Sequence, residues 1–180
     1  MNRLVNISCI DDIFPEDRQT PIGLLLEFQN LNRSLDTYTQ AKMLIGMCMD
    51  NRKHLRIPDN FAFIIRSGGA NLRYSEFKVS YAIAIGDIQH IAIIAHNNCG
   101  MVNLISRKNQ FISGLINKAG WEKEWAEDHF MHFAQMFEIG NEIDFVLSEA
   151  KRLRLRYPKI TVAPLYYRVE DNRLYLLKEN

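Results

Sequence analysis

Short, nearly continuous apolar runs divide the chain into candidate strands. Strands that are buried on both faces of a sheet have this pattern, because neither side of the strand contacts water. Two further runs near the C-terminus are separated by the turn-forming residues 170–172 and predict a hairpin. The predicted strands are 42–48, 61–66, 90–96, 160–167 and 173–177.

The stretches between these runs carry apolar residues at helical spacing. Thr20 followed by Pro21 predicts the start of an N-terminal helix, and the apolar stripe from Ile22 to Leu31 requires a surface to pack on. Ser75 and Gly86 are expected to cap and end the next helix. Three later helices are predicted at 101–118, 121–139 and 142–157.

Buried strands interleaved with helices predict an α/β fold. We expect a mostly parallel central sheet with helices on both faces, an antiparallel edge at the C-terminus and an N-terminal helical arm. No repeat, low-complexity tract or linker interrupts the chain. The prediction is therefore a single domain, in which residues 1–39 form the arm and residues 40–180 form the α/β unit.

Composition narrows the classes of function. The chain has 180 residues, is 47% hydrophobic and carries a formal net charge of +1, so it lacks the basic surface that a nucleic-acid partner requires. Its apolar runs are shorter than the roughly 18 residues of a membrane span, and residues 1–10 lack the apolar core of a signal peptide. The sequence predicts a cytoplasmic protein with no nucleic-acid or membrane partner.

Two of the three cysteines follow predicted strands. Cys48 ends the strand at 42–48, and His96 and Cys99 follow the strand at 90–96 as His-x-x-Cys. Ligands of parallel α/β sheets bind beyond the carboxyl ends of the strands. Two thiolates and one imidazole favour zinc, and three protein ligands leave a fourth tetrahedral position open, as at catalytic zinc sites. The alternative is that both cysteines are core residues, since free cysteine is commonly buried.

An aspartate and an arginine beside Cys48 favour the metal site over the core alternative. Asp50 and Arg52 occupy alternate positions after Cys48 and can share one side of an extended segment. An aspartate there can accept a hydrogen bond from a metal-bound water, and an arginine can hold that aspartate ionised and aimed.

Taken together, these motifs resemble the β-class carbonic anhydrases. The resemblance rests on Cys-x-Asp-x-Arg, on an arginine followed by a glycine-rich turn ending in asparagine, on Ser-Tyr-Ala, and on His-x-x-Cys-Gly-Met. The segments are residues 48–52, 66–71, 80–82 and 96–101, in the order found in the family.

The resemblance implies a Zn²⁺ ion held by Cys48, His96 and Cys99, with Asp50 and Arg52 as catalytic residues. It implies the reversible hydration of carbon dioxide to bicarbonate and a proton by hydroxide held on the zinc. The dimeric architecture of the family implies that this chain forms a homodimer or higher homo-oligomer, in which the N-terminal arm packs on the partner subunit.

The sequence of the glycine-rich turn is compatible with more than one substrate. Gly69 and Asn71 are expected to line the substrate pocket, but Ser67-Gly68-Gly69 departs from the usual form of this turn. The alternatives are a hydrolase of carbonyl sulfide or carbon disulfide, and a non-catalytic zinc-containing regulatory module.

The remaining candidates have simpler interpretations. His129 and His132 have helical i, i+3 spacing, but they lie among aromatic residues typical of a buried face or subunit contact. His54 and His90 are expected to be packing or surface histidines, although His54 is a weak candidate for proton transfer. Cys9 has no partner motif and is expected to be an apolar filler of the arm.

Overall fold

The computed structural model describes residues 3–179 and contains six strands and five α-helices in that range. The predicted strands and helices are present, and one short N-terminal strand was not predicted. In chain order the elements are β1 (Leu4–Val5), α1 (Pro21–Asn30), β2 (Met43–Met47), β3 (Ala62–Arg66), α2 (Glu76–Ala84), β4 (His90–His96), α3 (Lys108–Ala119), α4 (Lys123–Phe137), α5 (Glu142–Arg156), β5 (Thr161–Arg168) and β6 (Arg173–Leu177).

The strands form one mixed sheet in the order β1-β6-β5-β4-β2-β3. The four strands β3, β2, β4 and β5 are parallel, whereas β6 and β1 add antiparallel strands at one edge. The predicted α/β fold with a mostly parallel sheet and an antiparallel C-terminal edge is therefore confirmed. Because β2 is followed along the chain by β3 on one side and later by β4 on the other, the strand order reverses between β2 and β4.

Two hydrophobic cores lie on opposite faces of the sheet. In β4, Ala92 and Ile94 face the core that α1 covers, whereas Ile91 and Ile93 face the core that α2 and α5 cover. This alternation follows from the two-residue period of a strand. Both faces are apolar because each is covered by helices, which explains the continuous apolar runs of the sequence.

The N-terminal helix packs on its own chain. Thr20 caps α1 by accepting a hydrogen bond from the Ile22 backbone N–H, as the sequence predicts. The apolar stripe of α1, including Leu25 and Phe28, is fully buried in the core on its face of the sheet. Asn30 fixes the end of the helix, because its side chain donates to the Leu174 carbonyl and accepts from the Leu174 N–H. The stripe is thus covered by the chain's own sheet, and the packing of residues 1–39 on a partner subunit stays a prediction.

The edge strand β3 differs from its prediction as a strand buried on both faces. Phe63 and Ile64 are substantially exposed, because β3 pairs only with β2. Beside this strand α2 presents Phe77, Tyr81 and Ile85 to solvent, with Phe77 82% exposed. Phe63 lies on the α2 side of β3 and forms an exposed apolar face with Phe77, Tyr81 and Ile85, which we call the α2/β3 face.

The predicted helix at 101–118 begins later than the spacing suggests. Val102 forms an isolated parallel bridge to Ile139, and Asn103 adopts a left-handed conformation with φ of 53°. These residues cannot continue a helix, so α3 starts at Lys108 after a short 3₁₀ turn. Among residues 3–179, no helix is both long enough and apolar enough to cross a bilayer.

Candidate metal centre

The topology brings the three predicted ligands to one point. Cys48 follows β2, His96 ends β4 and Cys99 lies three residues later, and β2 and β4 are neighbours at the reversal of strand order. All three side chains are buried. Their ligand atoms lie within 4.8 Å of one another, and they are the one such group of three found in the described part of the chain. These residues could therefore hold a metal ion.

The spacing of the two sulfur atoms fits a tetrahedral metal site. Cys48 Sγ and Cys99 Sγ are 3.9 Å apart, far beyond the ~2.05 Å of a disulfide bond. Two thiolates at ~2.3 Å from a tetrahedral zinc would be about 3.8 Å apart. The donor set and the spacing of its two sulfur atoms therefore fit zinc.

His96 presents an unpaired nitrogen to the same point. Its Nδ1 lies 2.9 Å from the Asn97 carbonyl oxygen, so the tautomer with a proton on Nδ1 donates there and leaves Nε2 as the metal-binding atom. His96 Nε2 is buried and has no hydrogen-bond partner among the described residues. A metal ion would satisfy this nitrogen, whose burial is otherwise costly.

The two thiols influence each other's ionisation. A hydrogen bond from the Cys99 thiol lowers the pKa of Cys48, because it stabilises the Cys48 thiolate. The same pairing, together with burial, raises the pKa of Cys99. The pair thus holds one proton tightly, and a divalent cation that replaces this proton neutralises both thiolates.

Asp50 and Arg52 form a tightly bound pair beside the ligands. Arg52 donates from Nη2 to Asp50 Oδ2 at 2.6 Å and from Nε to Asp50 Oδ1 at 3.0 Å. This pairing lowers the pKa of Asp50 well below its usual range, so the carboxylate is ionised and acts as a hydrogen-bond acceptor. Asp50 Oδ2 lies 3.9 Å from His96 Nε2, close to where the metal would be.

Backbone contacts fix the loop that carries Cys99. Asn98 has a left-handed φ of 54°, which turns the chain between His96 and Cys99, and asparagine tolerates this conformation better than most residues. The Asn98 carbonyl accepts a hydrogen bond from Arg52 Nη2 at 3.0 Å. Arg52 therefore links the loop after β2 to the loop after β4.

Two residues that hold this loop are not evident from the sequence. Glu142, at the start of α5, accepts a hydrogen bond from the Cys99 backbone N–H at 3.2 Å. Asn97 accepts from the Val169 N–H and donates to the Glu170 carboxylate. All three contacts span more than 40 residues of sequence, so no local motif could indicate them.

The glycine-rich turn lies behind the cysteines. Gly69 has φ of 63°, and a Cβ there would be 3.3 Å from the Ile139 side chain, which packs on the two cysteines. Asn71 is buried, donates to the Met136 carbonyl and accepts from the Arg73 N–H. The structure thus gives the Asn71 side chain a structural partner on each side. That Gly69 and Asn71 line a substrate pocket stays a prediction.

An apolar cavity of about 490 Å³ begins next to the site. It extends from Met49, which follows Cys48, and Met101, which packs on the two cysteines, to the aromatic side chains of α3 and α4. Its other lining residues are Ser67, Gly68, Leu104, Phe111, His129, Phe130, Phe133, Ala134 and Phe137.

The other sequence candidates lie apart from the metal ligands. The His129 ring packs against Trp121 and Phe133, and neither His129 nor His132 belongs to a cluster of three metal-ligating side chains in the described residues. Cys9 is exposed, with its Sγ 3.5 Å from Asp12. The prediction that Cys9 fills an apolar site in the arm is wrong, because Cys9 precedes a surface 3₁₀ turn whose Asp12 binds it.

Comparisons with known proteins bear on the fold. No protein-family model and no curated protein matches the sequence. Among solved structures, a carbonic anhydrase from Glaciozyma antarctica is 18% identical, with a TM-score of 0.61 over 78% of this chain and 85% of that chain. β-Carbonic anhydrase isoform I from Trichomonas vaginalis is 15% identical, with a TM-score of 0.64 over 83% and 91%.

A third similar structure is the apo form of a carbon disulfide hydrolase. It is 20% identical to this chain, with a TM-score of 0.56 over 78% of this chain and 80% of that chain. The resemblance predicted from the motifs is thereby confirmed at the level of the fold. The chain folds as the β-carbonic anhydrases do, with its Cys48, His96 and Cys99 side chains converging at the switch point of the sheet.

Proposed function

We propose that the chain is a β-class carbonic anhydrase, a zinc lyase that converts carbon dioxide and water to bicarbonate and a proton. The observation that carries this proposal is the convergence of Cys48, His96 and Cys99 beside the ion pair of Asp50 and Arg52. A structural zinc site would call for four protein ligands. Three ligands next to an oriented carboxylate suit a site that activates water.

Each residue of the site has a distinct task in this proposal. Cys48, His96 and Cys99 would hold zinc, which supplies Lewis acidity that makes water a nucleophile near neutral pH. The Asp50 carboxylate accepts a hydrogen bond from the attacking water and so orients its lone pair toward carbon dioxide. Arg52 keeps Asp50 ionised and directed, because it holds both carboxylate oxygens.

The direct test is a zinc determination and a stopped-flow carbon dioxide hydration assay on the same preparation. We expect roughly one zinc per chain and hydration that disappears when a chelator removes the metal. A metal-replete protein with hydration at the background rate would contradict the proposal and favour a regulatory module.

A second candidate is the hydrolysis of carbon disulfide or carbonyl sulfide. The observation that favours it is the apolar cavity of about 490 Å³ next to the site. Apolar linear molecules partition into such a cavity, because its walls offer few hydrogen-bond partners to water. A solved structure with a similar fold is a carbon disulfide hydrolase.

An assay of the three gases side by side separates the two candidates. Carbonic anhydrase activity predicts that carbon dioxide turns over fastest. Phe133→Gln makes the cavity wall more polar, and Trp125→Gln is a matched control, since Trp125 lies on the same helix outside the cavity. A loss of carbon disulfide turnover in Phe133→Gln alone would support the hydrolase.

We also propose that two copies associate through the α2/β3 face. Phe63, Phe77, Tyr81 and Ile85 are exposed on it, beside the edge of β3 that no described strand pairs with. Exposed apolar patches with an open strand edge mark interaction surfaces. Light scattering at micromolar concentration should give the mass of a dimer or larger assembly, and Phe77→Glu should lower it. A monomer would contradict this proposal.

A further inference from the structure

Lys53 is a buried lysine without a partner. Its side chain is 1% exposed, and Lys53 Nζ and His96 Nε2 are the two buried side-chain nitrogen or oxygen atoms of the described residues that have no hydrogen-bond partner. A metal ion accounts for His96 Nε2. Lys53 Nζ needs a separate explanation, because an unpaired amine is costly to bury.

The backbone folds Lys53 back toward the site. Arg66 Nη1 lies 3.4 Å from the carbonyl oxygens of Cys48 and Asp50, and its Nη2 lies 3.5 Å from the Lys53 carbonyl oxygen. The segment from Cys48 to Lys53 therefore curls around one guanidinium. This geometry keeps the backbone of Lys53 close to that of Cys48, five residues earlier.

The electrostatic surroundings of Lys53 are those of the metal centre. Burial lowers the pKa of Lys53 and the nearby Arg66 charge adds to this, whereas the charges of Cys48, Asp50 and Cys99 oppose that shift. The effect is mutual, since Lys53 also favours the ionised forms of these three groups. Its amine is thus electrostatically coupled to these three acidic groups.

The balance of charges at the metal centre indicates a role for the Lys53 amine. Two thiolates neutralise a divalent cation, and Arg52 neutralises Asp50. A small anion that enters the remaining metal position then adds a negative charge in a mostly buried place, where it requires compensation. The Arg66 guanidinium also carries a positive charge, but its N–H groups donate to three backbone carbonyls, whereas Lys53 Nζ has no hydrogen-bond partner among the described residues.

We propose that Lys53 provides the positive charge that binds a small inorganic anion, of the size and charge of bicarbonate, at the metal centre. The inference rests on the proposed function only in requiring a metal ion at Cys48, His96 and Cys99. It assigns to Lys53 the retention of the anionic product, a role distinct from the orientation of water by Asp50.

The experiment measures anion binding rather than turnover. Cobalt(II) replaces zinc, and its visible absorption bands are titrated with thiocyanate, a monovalent anion, and with imidazole, a neutral ligand. In Lys53→Met, which keeps a linear apolar side chain, thiocyanate should bind at least ~10-fold more weakly while imidazole binds as in the wild type. Lys123→Met removes an exposed lysine from α4 and should leave both affinities unchanged.

Two further measurements exclude a merely structural role for Lys53. Lys53→Met should keep full cobalt content and unfold at a temperature no lower than the wild type, because it removes an unpaired buried amine. Lys53→Arg keeps the charge and should bind thiocyanate more tightly than Lys53→Met does. Equal thiocyanate affinity in the wild type and Lys53→Met, or an equal loss of thiocyanate and imidazole binding, would overturn the inference.

The outcomes distinguish this inference from the proposed function. Thiocyanate binding that depends on Lys53 in a protein without carbon dioxide hydration would support the inference and contradict the activity. Normal hydration by the wild type, with thiocyanate binding that does not depend on Lys53, would support the proposed activity and contradict the inference.

Discussion

Arg52 donates hydrogen bonds to both carboxylate oxygens of Asp50 and also to the Asn98 carbonyl on the neighbouring loop. One guanidinium thus holds the carboxylate that faces the metal site and ties together the two loops that carry its ligands. A lysine could not do both, because its ammonium lacks the planar array of five N–H donors. The pair therefore couples the orientation of Asp50 to the geometry of the ligands.

Arg52→Ala tests this coupling. The variant should retain zinc but hydrate carbon dioxide at least ~10-fold more slowly, because the freed Asp50 carboxylate can occupy the fourth metal position. The measurements are zinc content and stopped-flow hydration, together with the cobalt spectrum, which changes when a carboxylate replaces water. Arg52→Lys should recover little activity, since it restores charge without the bidentate contact. Full activity in Arg52→Ala would show that the pair is uncoupled.

Removal of a metal ligand gives a sharper result than removal of the arginine. Cys48→Ser and His96→Ala should each lose zinc during dialysis, because two remaining ligands cannot retain the ion against buffer. Cys9→Ser is the matched control, since Cys9 is exposed and lies outside the ligand cluster. Zinc content by mass spectrometry should fall only in the first two variants. Unchanged zinc in Cys48→Ser would disprove the site.

Substitution of Glu142 tests whether its hydrogen bond holds the loop that carries Cys99. Glu142→Ala removes the acceptor of the Cys99 backbone N–H, and an unpaired buried donor costs about 1–3 kcal/mol. Zinc affinity, measured by competition with a chromophoric chelator, should fall ~10-fold or more.

The control for Glu142→Ala lies on the same helical turn. Asp144→Ala removes a carboxylate that pairs with Arg3 at the surface and should leave zinc affinity unchanged. Equal affinities in the two variants would assign Glu142 to helix stability alone.

Local patterns in the sequence were sufficient to predict most of the sheet and the convergence of three side chains that could hold a metal ion. Cys48 and His96 end apolar runs, and the ends of parallel strands meet at one edge of a sheet, so spacing along the chain translated directly into proximity. The core alternative for Cys48 and Cys99 was partly right, since both are buried, but burial also suits ligands. Asp50 and Arg52 were found for the same reason, because they lie within four residues of a ligand.

The sequence did not indicate which distant segments of the chain pack against one another. The stripe on α1 showed that the helix packs on something but not on which chain, and only the structure places it on its own sheet. Strand β3 has the composition of a central strand, and its place at the edge depends on the order of the strands. Lysine is a residue type typical of the protein surface. Lys53 is nevertheless buried, in a segment whose backbone curves around Arg66.

Asp17 provides a prediction that is independent of the metal centre. Burial raises the pKa of Asp17 from 3.8 to about 6, and the neighbouring Glu16 adds to the effect. The native protein therefore binds more protons at Asp17 than the unfolded chain between these two values. The free energy of unfolding should fall as the pH rises from about 4 to 6, because ionised Asp17 is disfavoured in the native state.

Asp17→Asn removes this ionisation and should stabilise the protein at pH 7 by about 1–2 kcal/mol, a value reduced for solvent screening. At pH 3.5 the gain should vanish, since Asp17 is then largely protonated in both states. Urea unfolding at the two pH values measures the difference, with Asp59→Asn, an exposed aspartate, as the control. The substitution itself leaves the backbone contacts intact, because Thr20 and Gly23 bind the Asp17 carbonyl rather than its side chain. An equal gain at both pH values would show that ionisation of Asp17 does not cause it.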